Sequence, residues 1–295
     1  MDTQNTPSAH ESLLSRTKKL LRESGIRAKK GLGQNFLVSD EVLEKILDAA
    51  DLKPSDTVIE VGPGLGLMTA ELAKRAGWVI AIELDEHLAD MLKQNMPENV
   101  VVIKRDVLGT DPAALLESGA LKIPELLKQY KVVANLPYYI TSAVLRHFLE
   151  ASIKPESIVV MVQKEVAEAI TAKPGDQSVL SVSVQFYGKP EIIAIVPATA
   201  FYPAPDVDSA LVKIDVYERP PVDVDDPDRF FKLVKAGFSA ARKQAANAFS
   251  KGLGLEKAEV TSWLQNAGID PTRRAETFTL EEWGRLFNSF LAMEK

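Results

Sequence analysis

At 295 residues, with 46% apolar and 26% charged residues, the chain has room for one large and one small domain and the composition of an ordinary globular protein. It contains no cysteine, which excludes disulfides, thiolate zinc sites, iron–sulfur clusters and any thiolate nucleophile, and its three scattered histidines (His10, His87, His147) argue against a histidine metal site. The formal charge of −6 argues against a uniformly basic nucleic-acid binder, and no apolar run reaches the roughly 18 residues of a membrane span.

The polar opening, residues 1–11, lacks the apolar stretch of a signal peptide and is expected to be a loose leader in a cytoplasmic protein. Over 11–24, Leu13, Leu14, Leu20 and Leu21 recur at helical spacing with cations between them. From 16 to 30, seven cations (Arg16, Lys18, Lys19, Arg22, Arg27, Lys29, Lys30) stand against one acid, Glu23. Such clustering can serve a phosphate backbone even on an acidic chain, although a solvated helix face has the same pattern. Ser39 is placed to cap a helix running to Ala50.

Short apolar runs then alternate with helical stretches. Strands are expected at Thr57–Val61, Trp78–Glu83, Val100–Lys104, 131–135 and Ser157–Gln163, and helices at Leu67–Arg75, Glu86–Asn95, 142–150 and 165–172. This alternation predicts an α/β fold with a doubly wound, Rossmann-like sheet. Two further strands, 191–196 and 210–217, have no long helix expected between them and are read as a hairpin-like end of that sheet. The stretch 218–228, ERPPVDVDDPD, carries three prolines and five acids, Asp228 included, and reads as a linker. Beyond it, 229–241, 245–251, 257–267 and Leu280–Met293 all read as helix. The expected organisation is a basic N-terminal extension (1–28), a Rossmann-like domain (29–218), a linker (219–228) and a small all-helical C-terminal domain (229–295).

The run VIEVGPGLGLMT puts Gly62, Gly64 and Gly66 between a strand and a helix, where the backbone can approach a ligand and aim N–H groups at an anion. A dinucleotide loop would need glycine at 67, where Leu67 stands. The earlier third glycine suits a ligand with a carboxylate and no phosphate, such as S-adenosylmethionine. Glu83 ends the next strand, where an acid accepts hydrogen bonds from ribose hydroxyls. Asp106 ends the third strand and can accept from an adenine amino group; its plainer use is as a turn cap.

After the fourth strand comes Asn135-Leu136-Pro137-Tyr138. The exocyclic amine of adenine is a poor nucleophile because its lone pair is delocalised into the ring. Accepting hydrogen bonds from both of its N–H groups favours a tetrahedral nitrogen. The Asn135 side-chain carbonyl and a backbone carbonyl, at Leu136 or Pro137, can supply two acceptors. Pro137 holds the turn, and Tyr138 offers a ring for an extruded base. On this reading the Tyr138 hydroxyl is dispensable.

The motifs GLGQNFL (31–37), EVGPGLG, AIELD, RDVL, ANLPYYI, MVQKEVAEAI, FYPAPDVDSALVKI and IDPTRRAETFTLEEW together make the chain resemble the rRNA adenine N6,N6-dimethyltransferases of the KsgA/RsmA type. The resemblance runs from about Lys29 to Leu291. It implies S-adenosylmethionine as cofactor, with contacts at Asn35, Leu37, Gly62, Gly64, Glu83, Asp106 and Asn135, and target-base roles for Asn135, Leu136, Pro137 and Tyr138. It further implies two methylations on each of two neighbouring adenines in a hairpin of small-subunit rRNA, and a role in small-subunit biogenesis. A monomer acting on a pre-30S-like particle, with no membrane partner and no metal, is the expected setting. The chain departs from the family at 241–245, Ala-Arg-Lys-Gln-Ala, which has one cation fewer than usual, and at PGDQSV, which lacks a Tyr-Gly pair. RNA contacts are expected at 16–30 and at Arg242, Lys243, Arg273 and Arg274. The rival readings are an adenine N6 methyltransferase of large-subunit rRNA or DNA, a non-catalytic ribosome-assembly factor, and a nicotinamide oxidoreductase. Leu67 and the Asn135–Tyr138 motif weigh against the last.

Overall fold

A computed structural model of the chain describes residues 11–26, 28, 29, 31, 33–117, 129–240 and 242–293. The expected leader, apart from Glu11, and Arg27, Lys30 and Ala241 lie outside the described residues.

The helix α1 (Leu13–Ser24) begins at Ser12, whose hydroxyl accepts from the Ser15 N–H, and ends at left-handed Gly25. It is followed by the short strand β1 (Phe36–Leu37) and by α2 (Asp40–Ala50), capped by Ser39 as expected. Then come β2 (Thr57–Val61), α3 (Leu67–Arg75), β3 (Trp78–Glu83), α4 (Glu86–Asn95), β4 (Val100–Lys104), α5 (Pro112–Glu117), β5 (Tyr130–Asn135), α6 (Thr141–Leu149), β6 (Ser157–Gln163) and α7 (Lys164–Ile170). After these come α8 (Val179–Tyr187), β7 (Gly188–Val196), β8 (Phe201–Tyr202) and β9 (Ser209–Val216).

A seven-stranded sheet has the order β4-β3-β2-β5-β6-β9-β7. The strands β4 to β6 are parallel, while β9 runs antiparallel to both β6 and β7. The expected hairpin-like end is there, with β9 inserted next to β6 and β7 at the edge. Strand order reverses between β2 and β5, so the loops after β2, β3, β4 and β5 gather at one end of the sheet, where open α/β sheets bind ligands. Two features have no counterpart in the sequence-based expectation. The first, α8, has the alternating sequence VLSVSVQFY, which suits a strand, but Ser178 and Ser181 form a reciprocal capping box and the helix is buried nearly all round. The second is the ribbon in which β1 pairs antiparallel with β8, Phe36 opposite Tyr202.

Helix α1 is docked rather than free. Leu13 is buried with α2 and α3 residues, its N–H lies 3.2 Å from both Asp40 carboxylate oxygens, and Arg16 lies 3.9 Å from Glu71. Beyond the acidic stretch, α9 (Pro227–Gly237) begins at Asp226, inside the span expected to be a linker, and is followed by α10 (Ala245–Leu253), α11 (Lys257–Asn266) and α12 (Leu280–Met293). Phe230 of α9 stacks on Phe186 of α8 at 4.9 Å, so one apolar cluster joins these helices to a face of the sheet. No described helix is long and apolar enough to cross a membrane.

Candidate active site

The loop between β2 and α3 carries Gly62 and Gly66 at φ of 67° and 78°, a region costly to any side chain. A Cβ at Gly62 would meet nothing within 4 Å, so its backbone faces open space; at Gly66 it would overlap Leu92 of α4. The first glycine keeps the loop accessible, and the last lets the loop lie directly against Leu92 and Met96. Glu83, at the end of β3, is 6% exposed. One carboxylate oxygen accepts from the Gly64 N–H at 3.1 Å and the other from the Asp85 N–H at 2.8 Å. Burial raises its pKa and the Asp85 charge adds to the rise, while the amides of Asp85 and Gly64 act against both. Asp106 caps the 3-10 turn Val107–Gly109, with one oxygen accepting from the Leu108 N–H at 3.0 Å, and is otherwise exposed at the pocket wall. Its cap role and a ligand role are therefore compatible.

The loop after β5 meets a distant segment. The Asn135 Nδ2 donates to the Asn35 carbonyl at 2.9 Å. A carbonyl can only accept, so this bond orients the amide and leaves the Asn135 side-chain oxygen facing elsewhere. The Leu136 N–H donates to the Met161 carbonyl at 3.3 Å, and the Pro137 carbonyl accepts from the Ile140 N–H at 3.2 Å. Tyr138 is half-buried, and its hydroxyl lies 2.7 Å from that of Ser209, at the start of β9. The hydroxyl expected to be dispensable is thus bonded. Burial raises its pKa, with Ser209 opposing and the Asp208 charge assisting.

All the site residues expected from the sequence meet here. Asn35, Leu37, Gly62, Gly64, Glu83, Asp106, Asn135, Leu136, Pro137 and Tyr138 line one pocket at the carboxyl end of the parallel strands. Three further residues carry no cofactor or target-base role in the sequence reading. Lys29 pairs with Asp85 at 2.6 Å. Ser209 lies within the FYPAPDVDSALVKI motif and holds Tyr138. Glu60, the next-to-last residue of β2, is fully buried, and neither its carboxyl oxygens nor the Thr69 hydroxyl has a hydrogen-bond partner among the described residues. Burial pushes the Glu60 pKa up to about 8; the neighbouring Thr69 hydroxyl, though outside hydrogen-bond geometry, acts against the rise, and the Glu83 charge adds to it. An acid inside the apolar run VIEV was the available signal.

The expected RNA cations divide. Arg273 makes a bidentate pair with Glu282, at 2.6 and 2.9 Å, and lies over the Phe278 ring. It holds the start of α12 through Glu282, whose carboxylate also accepts from the Thr279 N–H. Arg274 lies 3.4 Å from Glu276 and is half exposed, and Arg242 and Lys243 are exposed.

The chain is similar to known proteins over most of its length. Residues 25–291 match the sequence model of the ribosomal RNA adenine dimethylase family. A ribosomal RNA small subunit methyltransferase A from Dehalococcoides mccartyi (strain CBDB1) is 53% identical over 277 residues, covering 93% of this chain and 92% of that one. A protein of the same description from Moorella thermoacetica is 44% identical over 294 residues, covering 97% and 98%. Among solved structures, the 23S rRNA methyltransferase ErmE superposes with a TM-score of 0.66 at 28% identity, over 86% of this chain and 99% of that one. A dimethyladenosine transferase from Plasmodium falciparum shares the fold, with a TM-score of 0.71 at 24% identity over 88% and 98%.

Proposed function

Because this chain belongs to the ribosomal RNA adenine dimethylase family, we propose that it transfers methyl groups from S-adenosylmethionine to N6 of two adjacent adenines in a hairpin of small-subunit rRNA. The observation that carries the reading is the convergence of the glycine loop, Glu83, Asp106 and the Asn135–Tyr138 motif on one pocket.

The pocket fits that cofactor. Gly62 leaves open space where a side chain would stand, the Gly62–Gly66 backbone suits a carboxylate, and Glu83 and Asp106 keep acceptor capacity for ribose hydroxyls and an adenine amine. Asn35 and Leu37 supply the facing wall. When bound, S-adenosylmethionine supplies an electrophilic methyl group on a sulfonium. The chain supplies position and charge. The Asn135 side-chain oxygen, oriented by the Asn35 carbonyl, accepts one N–H of the target amine. The Leu136 carbonyl accepts the other, since the Pro137 carbonyl is turned into the 3-10 turn Tyr138–Ile140. The Tyr138 ring, held by Ser209, stacks on the extruded base.

The partner is small-subunit rRNA within a pre-30S-like particle, met by a monomer in the cytoplasm. Residues 29–218 serve as the catalytic domain and 229–295 as a helical adjunct. The test is mass spectrometry of rRNA from cells lacking the protein, with purified small- and large-subunit rRNA methylated side by side. Loss of dimethyladenosine from the small subunit, restored by the wild-type chain, is expected. Modification of large-subunit RNA alone would move the substrate to the rival class. Normal rRNA in both subunits would leave an assembly role.

A further inference from the structure

The basic stretch that precedes the pocket contains a cation whose ion pair is internal. The Lys29 Nζ lies 2.6 Å from Asp85 Oδ2, and the Asp85 side chain is only 3% exposed. Asp85 also accepts from the His87 and Leu88 N–H groups, capping α4, and its own N–H donates to Glu83. Burial works against the Asp85 charge, but the Lys29 ammonium and the two capping amides hold its pKa below the ordinary carboxylate value. From Lys29, contacts therefore run through Asp85 and Glu83 to Gly64 of the glycine loop.

The same segment is fastened at its other end. The Lys29 N–H donates to the Gln34 side-chain oxygen at 2.8 Å, closing the segment on itself. A Cβ on Gly33 would stand 3.4 Å from Pro137 Cβ and 3.6 Å from the Tyr139 ring, so Gly33 lies directly on the target-base loop. The Asn35 carbonyl holds Asn135. Gly33, Gln34 and Asn35 also line the cofactor pocket. A single strap thus touches the acidic end of β3 on one side and the Asn135–Tyr139 loop on the other, with the pocket between.

We infer that Lys29 is a positioning residue for cofactor binding: its pair with Asp85 latches this strap across the pocket. The inference rests on the cofactor reading proposed above. A cation in this role is used within the chain, unlike the phosphate contact expected of Lys29 from the sequence. The strap meets both sites, holding Asn135 through the Asn35 carbonyl and reaching Glu83 through Asp85.

Calorimetric titration of the full chain with S-adenosylmethionine tests the latch. The Lys29 side chain is half exposed, so loss of the pair is expected to raise the dissociation constant by only about 3- to 10-fold in Lys29→Ala. Lys29→Arg, which keeps the charge, should stay within about 2-fold of wild type. Asp85→Asn should weaken binding similarly, and the double variant should be no worse than the weaker single one, because both remove the same pair. In methylation assays Lys29→Ala should raise KM for the cofactor more than it lowers kcat at saturation, a split that a purely structural role, read only as a lower melting temperature, would not produce. Unchanged cofactor affinity in Lys29→Ala overturns the latch, as does a loss of RNA affinity alone. A wild-type chain that binds no S-adenosylmethionine is a different result and overturns the cofactor reading beneath it.

Discussion

Tyr138 and Ser209 are joined hydroxyl to hydroxyl at 2.7 Å, across 71 residues of chain, with Ser209 fully buried. Strand β9 thereby holds the ring that follows the Asn135-Leu136-Pro137 turn. The bond gives the tyrosine hydroxyl a use in orientation that stacking alone does not require.

Tyr138→Ala should lose most methyl transfer, because base–ring stacking is worth about 1–3 kcal/mol. Tyr138→Phe keeps the ring but leaves the Ser209 hydroxyl unpaired, so kcat/KM should fall roughly 2- to 10-fold, as for a neutral hydrogen bond. Ser209→Ala should match Tyr138→Phe, and the double variant should add nothing further. Single-turnover methylation of rRNA by wild type and these variants checks this. Wild-type rates in Ser209→Ala would show that the ring is held by its other contacts.

Glu83→Ala should weaken S-adenosylmethionine binding by about 1–3 kcal/mol, the range for charge-assisted hydrogen bonds to a ligand. Calorimetry measures it directly. Undiminished affinity would take Glu83 out of the cofactor site and leave it as a tie between Gly64 and Asp85.

Glu60 makes stability pH-dependent. Its pKa rises from 4.5 to about 8 on folding, so the native state retains a proton that the unfolded chain releases. Stability on this account falls as pH rises past 4.5 and levels off above about 8. Glu60→Gln removes the titration, so its stability relative to wild type should be greater at about pH 8 than at about pH 5, by up to about 4 kcal/mol at about 1.4 kcal/mol per pH unit. Urea unfolding at the two pH values reads the difference; a constant offset would mean that Glu60 is ionised throughout.

The two outer glycines of the loop should fail differently when a methyl is added. Gly66→Ala meets Leu92 and Met96 and a strained φ, so it should destabilise the cofactor-free protein by roughly 2–5 kcal/mol. Gly62→Ala meets open space, so only the backbone cost of about 1–2 kcal/mol applies, and its main effect should be on cofactor affinity. Thermal melts with and without cofactor separate the two. Equal melting temperatures would remove the packing role of Gly66.

Arg273→Ala should lower the melting temperature without changing the salt dependence of RNA binding, since its partners are Glu282, Thr277 and Phe278. Arg242→Ala with Lys243→Ala should do the reverse, reducing the salt slope by about 0.7–0.9 for each phosphate no longer neutralised. Filter binding over a salt series decides. A reduced slope in Arg273→Ala would mean that the Glu282 pair opens on RNA.

The sequence by itself determined the alternation of strands and helices, the bounds of β2, α3, β3, α4, β4, β6 and α12, and the set of residues that meets in the pocket. These are local properties: apolar period, caps and glycine or proline turns act within a few residues. Strand ends in a parallel sheet bring such local motifs together without further instruction. Helix α8 was not legible, because VLSVSVQFY alternates as a strand does and becomes helical through its Ser178–Ser181 caps and nearly complete burial. Only the tertiary structure decided how the motifs are held. Asn35 with Asn135, Lys29 with Asp85, Tyr138 with Ser209 and β1 with β8 join residues far apart in the chain, and each pairing depends on strand order and on where α1 docks. A lysine in a basic run and an arginine in a family motif read alike as RNA contacts. Lys29 and Arg273 turn inward because buried or half-buried carboxylates at Asp85 and Glu282 need a counter-charge, and that need exists only once the chain has folded.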